Sequence, residues 1–362
     1  FVDAAHMLMP MPFACAMGID GIQAPIRVGM IQNINGQAIT LAKKHLGVRQ
    51  AAEMKGFTFG VPYLFSMHNY LLRHWLAEHG VNPTEDVVIR EVAPPRMPFY
   101  LEKGWIDGIL APEPFNQIVV QQNLGFIYRL SRDIWPGHPC CSFAVRQDFI
   151  DSYPHTYRAL LRAILAAQLT IHQAGREQRK TIAQEISAPG YLNLDSPLVV
   201  EQVLLGDYPD GRGGQCHVPD RIDFLPHPWR AYGNWVLSQM QRWGDLAGRR
   251  DYRPSADAVF SAEVWELAQF AGFQASQASI CPGFGGLLET DPQRFARQQP
   301  FSSFREESKP LQTYGLPESA RVRLGEIVHQ MAAVTGGASY PAIEVTGKDE
   351  IGLLEQVLNE AI

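Results

Sequence analysis

Between Lys55 and Gln178 the apolar period of the chain switches repeatedly between two and about 3.6 residues, and this constrains the fold more than any other feature. FTFGVPY reads as a strand, HNYLLRHWLAEHG as a helix, DVVIREV as a strand, MPFYLEKG as a helix and IDGILA as a strand. Strands separated by helices are joined by crossovers rather than hairpins, so the pattern predicts an α/β fold with a parallel, helix-covered sheet. In the first helix Leu71, Leu72, Trp75 and Leu76 recur at helical spacing, and Gly80 ends it. Further on, PHTYRALLRAILAAQLTIHQA predicts an amphipathic helix with Leu160, Leu161, Ile164, Leu165 and Leu169 on its core face.

From Arg179 to Phe273 the pattern is helical, broken by the Gly- and Pro-rich stretch DYPDGRGGQCHVPDRIDFLPHP, which reads as either a lid or a connection. Beyond it, FGGLLETDPQRFARQQPFSSFREESKP loses the apolar period and reads as a linker over 284–310. A chain of 362 residues, 46% of them hydrophobic, has enough material for more than one lobe.

A net charge of -6 leaves no global positive field to attract nucleic acid or an anionic membrane, so a site for an anion has to be built locally. The five cysteines (Cys15, Cys140, Cys141, Cys216, Cys281) are odd in number, contain one adjacent pair and show no CxxC spacing. Neither a disulfide framework nor a zinc ribbon is readable, and a reducing compartment is favoured. Every apolar run is too short for a membrane helix. GxSxG, HExxH and the P-loop are missing, and GFGG near Gly283 lacks the flanking strand and helix of a dinucleotide site. The reading is a protein that is not an enzyme and carries no cofactor.

Four polar clusters stand at strand ends or helix starts: NINGQAIT (Asn33 to Thr40), SMHN (Ser66 to Asn69), APEPFN (Ala111 to Asn116) and GHPCC (Gly137 to Cys141). Helix starts add donor groups and positive potential for anions, and SMHN, following a strand, fits that geometry best. Its candidate residues are His68 and Asn69. Glu113 sits between two prolines on a stiff turn, and His138 precedes Pro139. Cys140 with Cys141 reads as a pair of buried thiols, since adjacent cysteines are poorly placed to share one metal ion.

Taken in order, DAAHMLMPMP, NINGQAIT, FSMHNYLLRHWLAEHGVNPTEDVVIREVAPPRM, GWIDGILAPEPFNQ, IWPGHPCC and FLPHPWRAYGNWVLSQMQRWG resemble the nitrate- and bicarbonate-binding receptor family from Phe1 to about Phe273. That family comprises receptors of ABC transporters and cytoplasmic nitrate/nitrite sensors. The resemblance implies a two-lobed periplasmic-binding-protein type II clamshell, with lobe I from 1–54 and 179–283 and lobe II from 55–178. It implies a ligand role for His68, with Gln37 and Thr40 in the NGNAIT-like segment and Glu113 and Asn116 in the GEPWN-like turn. Cys141 stands where nitrate receptors carry the lysine of HPEK, so the expected counter-charge is replaced by a thiol. The cleft is expected to be bordered by Gln37, His68, Glu113 and His138.

The start at Phe1 and the end inside EQVLNEAI read as a piece of a longer polypeptide, with the first βαβ of the family missing. DEIGLLEQVLNEA (Asp349 to Ala361) resembles the second-helix signature of a HAMP signalling module, with Leu324, Ile327, Met331 and Val334 as the seam of a first helix, so 311–362 is expected to be a helical signalling segment. These features predict a cytoplasmic sensor for a small inorganic anion, nitrate or nitrite, coupled to a downstream signalling domain or regulatory protein. The alternative is a periplasmic or membrane-anchored receptor delivering the anion to an ABC permease. A third reading, an enzyme resembling the pyrimidine synthase of thiamine biosynthesis, rests on HPCC alone.

Overall fold

A computed structural model of the chain describes residues 2–21, 23–246, 252–264 and 267–268, all within the larger of two compact units, Phe1–Glu306. The chain first forms β1 (Ala4–Leu8), α1 (Met11–Met17), β2 (Ile26–Asn35), β3 (Gln37–Ala42) and β4 (Thr58–Val61). Then come α2 (Met67–Glu78), β5 (Val88–Glu91), α3 (Met97–Glu102), β6 (Gly108–Pro112), α4 (Phe115–Gln121), β7 (Gly125–Leu130) and β8 (Pro139–Arg146). Helices α5 (Gln147–Ser152), α6 (Pro154–Gln173), α7 (Arg176–Ser187) and α8 (Leu198–Leu205) follow. Short strands β9 (Asp207–Pro209), β10 (Gln215–His217) and β11 (Ile222–Asp223) precede α9 (Arg230–Arg242) and α10 (Tyr252–Val259).

Two main sheets result. One has the order β1-β8-β2-β11 and is antiparallel throughout; the other has the order β5-β4-β6-β3-β7. In the second, β5, β4 and β6 run parallel, as the alternating text predicts, but β3 runs antiparallel to both β6 and β7, so the expected parallel sheet is a mixed one. The cause is that β3 arrives directly from the other sheet, without the helix that a parallel connection requires.

Sheet membership also departs from the expected boundaries at 54/55 and 178/179. Strand β3 belongs with 58–130, and β8 belongs with the flanking segments. The crossings fall at Asn35–Gly36 and between β7 and β8, and both use left-handed backbone: Asn35 at φ 57, Gly36 at φ 74 and Gly137 at φ 75. The crossings are tied together. The Gly137 amide donates to Asn35 Oδ1 at 2.9 Å, and the Asn35 amide donates to the His138 carbonyl at 2.9 Å. Backbone that leaves one ladder without yet joining another needs such partners, and Asn35 supplies them at both points.

Helix α2 lies at the centre of the principal core among the described residues. Ser66 caps it, its hydroxyl accepting from the Asn69 amide at 3.1 Å, and every residue from Met67 to Ala77 is buried, not only the apolar face read from the sequence. The principal core wraps it, drawing Val28 and Ile31 from one sheet, Ile39, Phe59 and Leu110 from the other, and Trp235 and Met240 from α9. Helix α6 covers the first sheet with Tyr157, Leu161 and Leu165. It lies over Gly29, whose missing side chain leaves room: a Cβ there would stand 3.0 Å from Leu161. That contact sets the rotation of the helix and turns Leu160, expected inward, into solvent.

The stretch after α8 is neither a free lid nor a bare connection. Strands β9 and β10 pair as a hairpin, and β11 joins the edge of the first sheet beside β2. The expected linker and helical signalling segment lie outside the described residues, as do Leu324, Ile327, Met331 and Val334.

Candidate functional site

The polar clusters read from the sequence separate into residues used by the scaffold and residues left over. Thr40 donates its hydroxyl to Asn116 Oδ1 at 2.9 Å, and the Asn116 amide donates to the Ala111 carbonyl at 2.7 Å. Asn69 donates to the Leu64 carbonyl at 2.7 Å and accepts from Arg73 Nε at 3.0 Å. All three are buried and fully engaged, so they shape the second sheet and the start of α2.

Glu113 is held by partners of the scaffold. Its carboxylate meets Arg221 Nη2 at 2.5 Å, a pair with both side chains essentially buried; Arg221 Nη1 donates to Gln117 Oε1 at 2.8 Å, and the guanidinium lies over the Tyr208 ring. The expected cleft border therefore loses Glu113, which is committed to locking α4 against the segment entering β11. Sequence reasoning missed Arg221 and Gln117, since only the fold brings them to Glu113.

His138 is buried, with Nε2 2.8 Å from Ser131 Oγ and Nδ1 3.1 Å from the Pro139 carbonyl; the Ser131 hydroxyl also lies 2.9 Å from the Gln37 carbonyl. Burial pushes its pKa down to about 4, so it is neutral near pH 7 and positions the second crossing.

What remains is a cluster of different character. Both ring nitrogens of His68 and both amide atoms of Gln37 are buried without a hydrogen-bond partner. The two side chains lie beside the thiol of Cys140, whose Sγ is 3.5 Å from that of Cys141. They approach the sulfur closely enough to favour its thiolate, yet neither makes a well-directed bond to it. The contact with Cys141, then His68 and Gln37, makes Cys140 the more acidic of the pair, and Cys140 and burial push Cys141 up. Near His138, Trp135 lies 6.4 Å from the imidazole and 4.8 Å from Trp235, centroid to centroid. The pairing of β8 with β2 shifts register on both sides of Asn33, so strict alternation lapses at Cys140 and the two sulfurs lie together; the structure selects Cys140, not Cys141, as the one beside His68.

Gln37 begins β3 right after the first crossing, His68 opens α2, and Cys140 lies on β8 after the second crossing, so the cluster sits where the two sheets meet. Among the described residues, no group of three or more His, Cys, Asp or Glu side chains is placed to hold a metal ion. A separate surface cavity of about 210 Å³, lined by His74, Trp75, Glu78, His79, Arg129, Asp133 and Ile134, contains none of the candidates. Its acidic and basic groups are mixed, and it lies toward the far end of α2. The polar atoms of His68 and Gln37 are the stronger mark of a site, because these two side chains, both beside Cys140, lack a partner at each of their polar atoms.

Two sheets joined by two crossings, with unbonded polar side chains where they meet, form the mixed α/β fold of the periplasmic binding proteins. The chain belongs to the NMT1-like family, whose model matches residues 1–187. It is 29% identical over 286 residues to the nitrate/nitrite binding protein NrtA of a Nostoc species, covering 74% of this chain and 64% of that protein. It is 32% identical over 262 residues to the nitrate import ATP-binding protein NrtC of Synechocystis, covering 67% of this chain and 38% of that protein. The crystal structure of the periplasmic nitrate-binding protein NrtA from Synechocystis superposes with a TM-score of 0.75 at 25% identity, over 83% of this chain and 84% of that one. The alkanesulfonate-binding protein SsuA from Xanthomonas axonopodis, at 16% identity and a TM-score of 0.52 over 72% of this chain and 81% of that one, shares the fold.

The expected cytoplasmic location is overturned by this likeness, since the NrtA whose structure matches is periplasmic. The NrtA and NrtC relatives are binding and import proteins by name.

Proposed function

We propose that this chain is the receptor part of an importer and that it binds a small inorganic anion of the nitrate class where its two sheets meet. One observation carries the reading: His68 and Gln37, from different elements, bury four polar atoms without partners at the start of a long helix. An anion there accepts from the Gln37 amide and from an imidazole N–H, and the α2 amino terminus adds positive potential. The family and its nitrate-binding members support the ligand class.

On this reading the site consists of Gln37 and His68, with Cys140 and Cys141 as its floor. Thr40, Asn69, Asn116 and His138 hold those residues in place, and Glu113 acts through Arg221. The two sheets are the lobes of a type II clamshell that closes on the anion, and the partner is a membrane permease with its ATPase. Delivery is favoured over sensing because the relatives are import components. Calorimetric titration with nitrate, nitrite and bicarbonate tests the proposal: saturable one-site binding of at least one is expected, and no binding of any at millimolar concentration rejects it.

A further inference from the structure

Two thiols, a histidine and an amide meet at the junction of the sheets, and anion recognition does not require the thiols. Cys140 and Cys141 are both buried with their sulfurs 3.5 Å apart, near van der Waals contact and about 1.5 Å beyond a disulfide bond. The neighbours of Cys140 are not neutral bystanders. Neither nitrogen of His68 is bonded, so the imidazole is free to take the thiol proton, and the unbonded Gln37 amide is free to donate to the resulting sulfur anion. Cys141 shows no corresponding contact with His68 or Gln37; its acidity responds to Cys140 and to burial. The pair is thus asymmetric, with one sulfur set up as a nucleophile and the other next to it.

We infer that Cys140 and Cys141 form a peroxide-sensitive modification site in which Cys140 is the attacking thiol and Cys141 the resolving one. In the first step His68 takes the Cys140 proton, and the thiolate attacks one oxygen of a hydroperoxide. An S–O bond forms and the O–O bond breaks, giving Cys140 sulfenic acid, while the departing oxygen leaves as water or an alcohol with the imidazole proton. In the second step Cys141 attacks the sulfenic sulfur: the S–S bond forms, the S–O bond breaks and water leaves. The net change is oxidation of two thiols to a disulfide and reduction of one hydroperoxide. Cys15 and Cys216 are more accessible than this pair, so exposure alone predicts that they oxidise first.

The test is peptide mapping after brief treatment of the protein with hydrogen peroxide. The segment carrying Cys140 and Cys141 is expected to lose two hydrogens in mass and to recover them with dithiothreitol. Cys141→Ser is expected to stop at the sulfenic acid, trapped by dimedone on Cys140 about tenfold faster than Cys141 is trapped in Cys140→Ser. His68→Gln is expected to slow trapping of Cys140 while leaving that of Cys15 unchanged. The inference is overturned if both thiols stay alkylatable while Cys15 or Cys216 oxidises, if the two single variants trap at equal rates, or if the pair passes to sulfinic acid without the disulfide. The mass readout does not depend on anion binding, so failure of the calorimetric test leaves it intact.

Discussion

A buried imidazole with neither nitrogen bonded is costly to keep, and His68 is such a residue. Removing it separates a ligand role from a structural one. His68→Ala is expected to weaken anion binding by about 1 to 3 kcal/mol, the scale of a lost charge-assisted hydrogen bond, while leaving the urea midpoint nearly unchanged. Calorimetry beside urea unfolding checks both halves, and equal affinity in the folded variant would remove His68 from the site. This residue was legible in the sequence because a helix start and a preceding strand are local features. Its isolation from partners was not, since that depends on what the rest of the chain places around it.

At the scale of elements, two side-chain links fix how the helices sit. Glu113 and Arg221 join α4 to the entry of β11 with both charges buried. Glu113→Ala leaves the guanidinium without its counter-charge and is expected to destabilise the fold by about 3 to 5 kcal/mol, read as a lowered urea midpoint. Asp245 links α2 to the end of α9, accepting from the Tyr70 hydroxyl at 2.8 Å, and burial raises its pKa to about 6 against the pull of Arg73 and Tyr70. The folded state then holds this proton between about pH 4 and pH 6 while the unfolded state has lost it, so the stability the group contributes below pH 4 is lost as pH rises through 6. Asp245→Asn keeps an acceptor for Tyr70 and removes the buried charge. It is expected to add about 1 to 2 kcal/mol at pH 7, with the gain vanishing toward pH 4, as urea midpoints of both proteins at the two pH values would show. An undiminished gain at pH 4 would assign the effect to something other than the carboxylate.

For the whole molecule the balance of buried ionisable groups sets the pH response. Burial pushes His138 to about 4, His74 to about 3 and His227 to about 4, so each stays neutral in the fold where the unfolded chain takes up a proton. Their contribution is present above about pH 6.5 and is lost as pH falls toward 4, by about 3 kcal/mol for His138 alone. Three such histidines outweigh the opposing slope of Asp245. The urea midpoint is expected to fall from pH 7 to pH 4.5, and a midpoint that holds or rises would mean that these rings are charged or hydrated in the native state.

The alternating periods predicted β4, α2, β5, α3 and β6, because each is encoded within a few residues. The ordered motifs led to the family for the same reason: they are read along the chain. Tertiary structure decided the rest. It sent β3 into an antiparallel place, drew Glu113 to an arginine 108 positions away, and turned Cys140 rather than Cys141 toward His68. A period of two does not say which side of a strand meets the helix from elsewhere; that depends on how the sheets cross at Asn35 and Gly137. Those crossings are chosen by packing the whole core around α2, a condition no local segment contains.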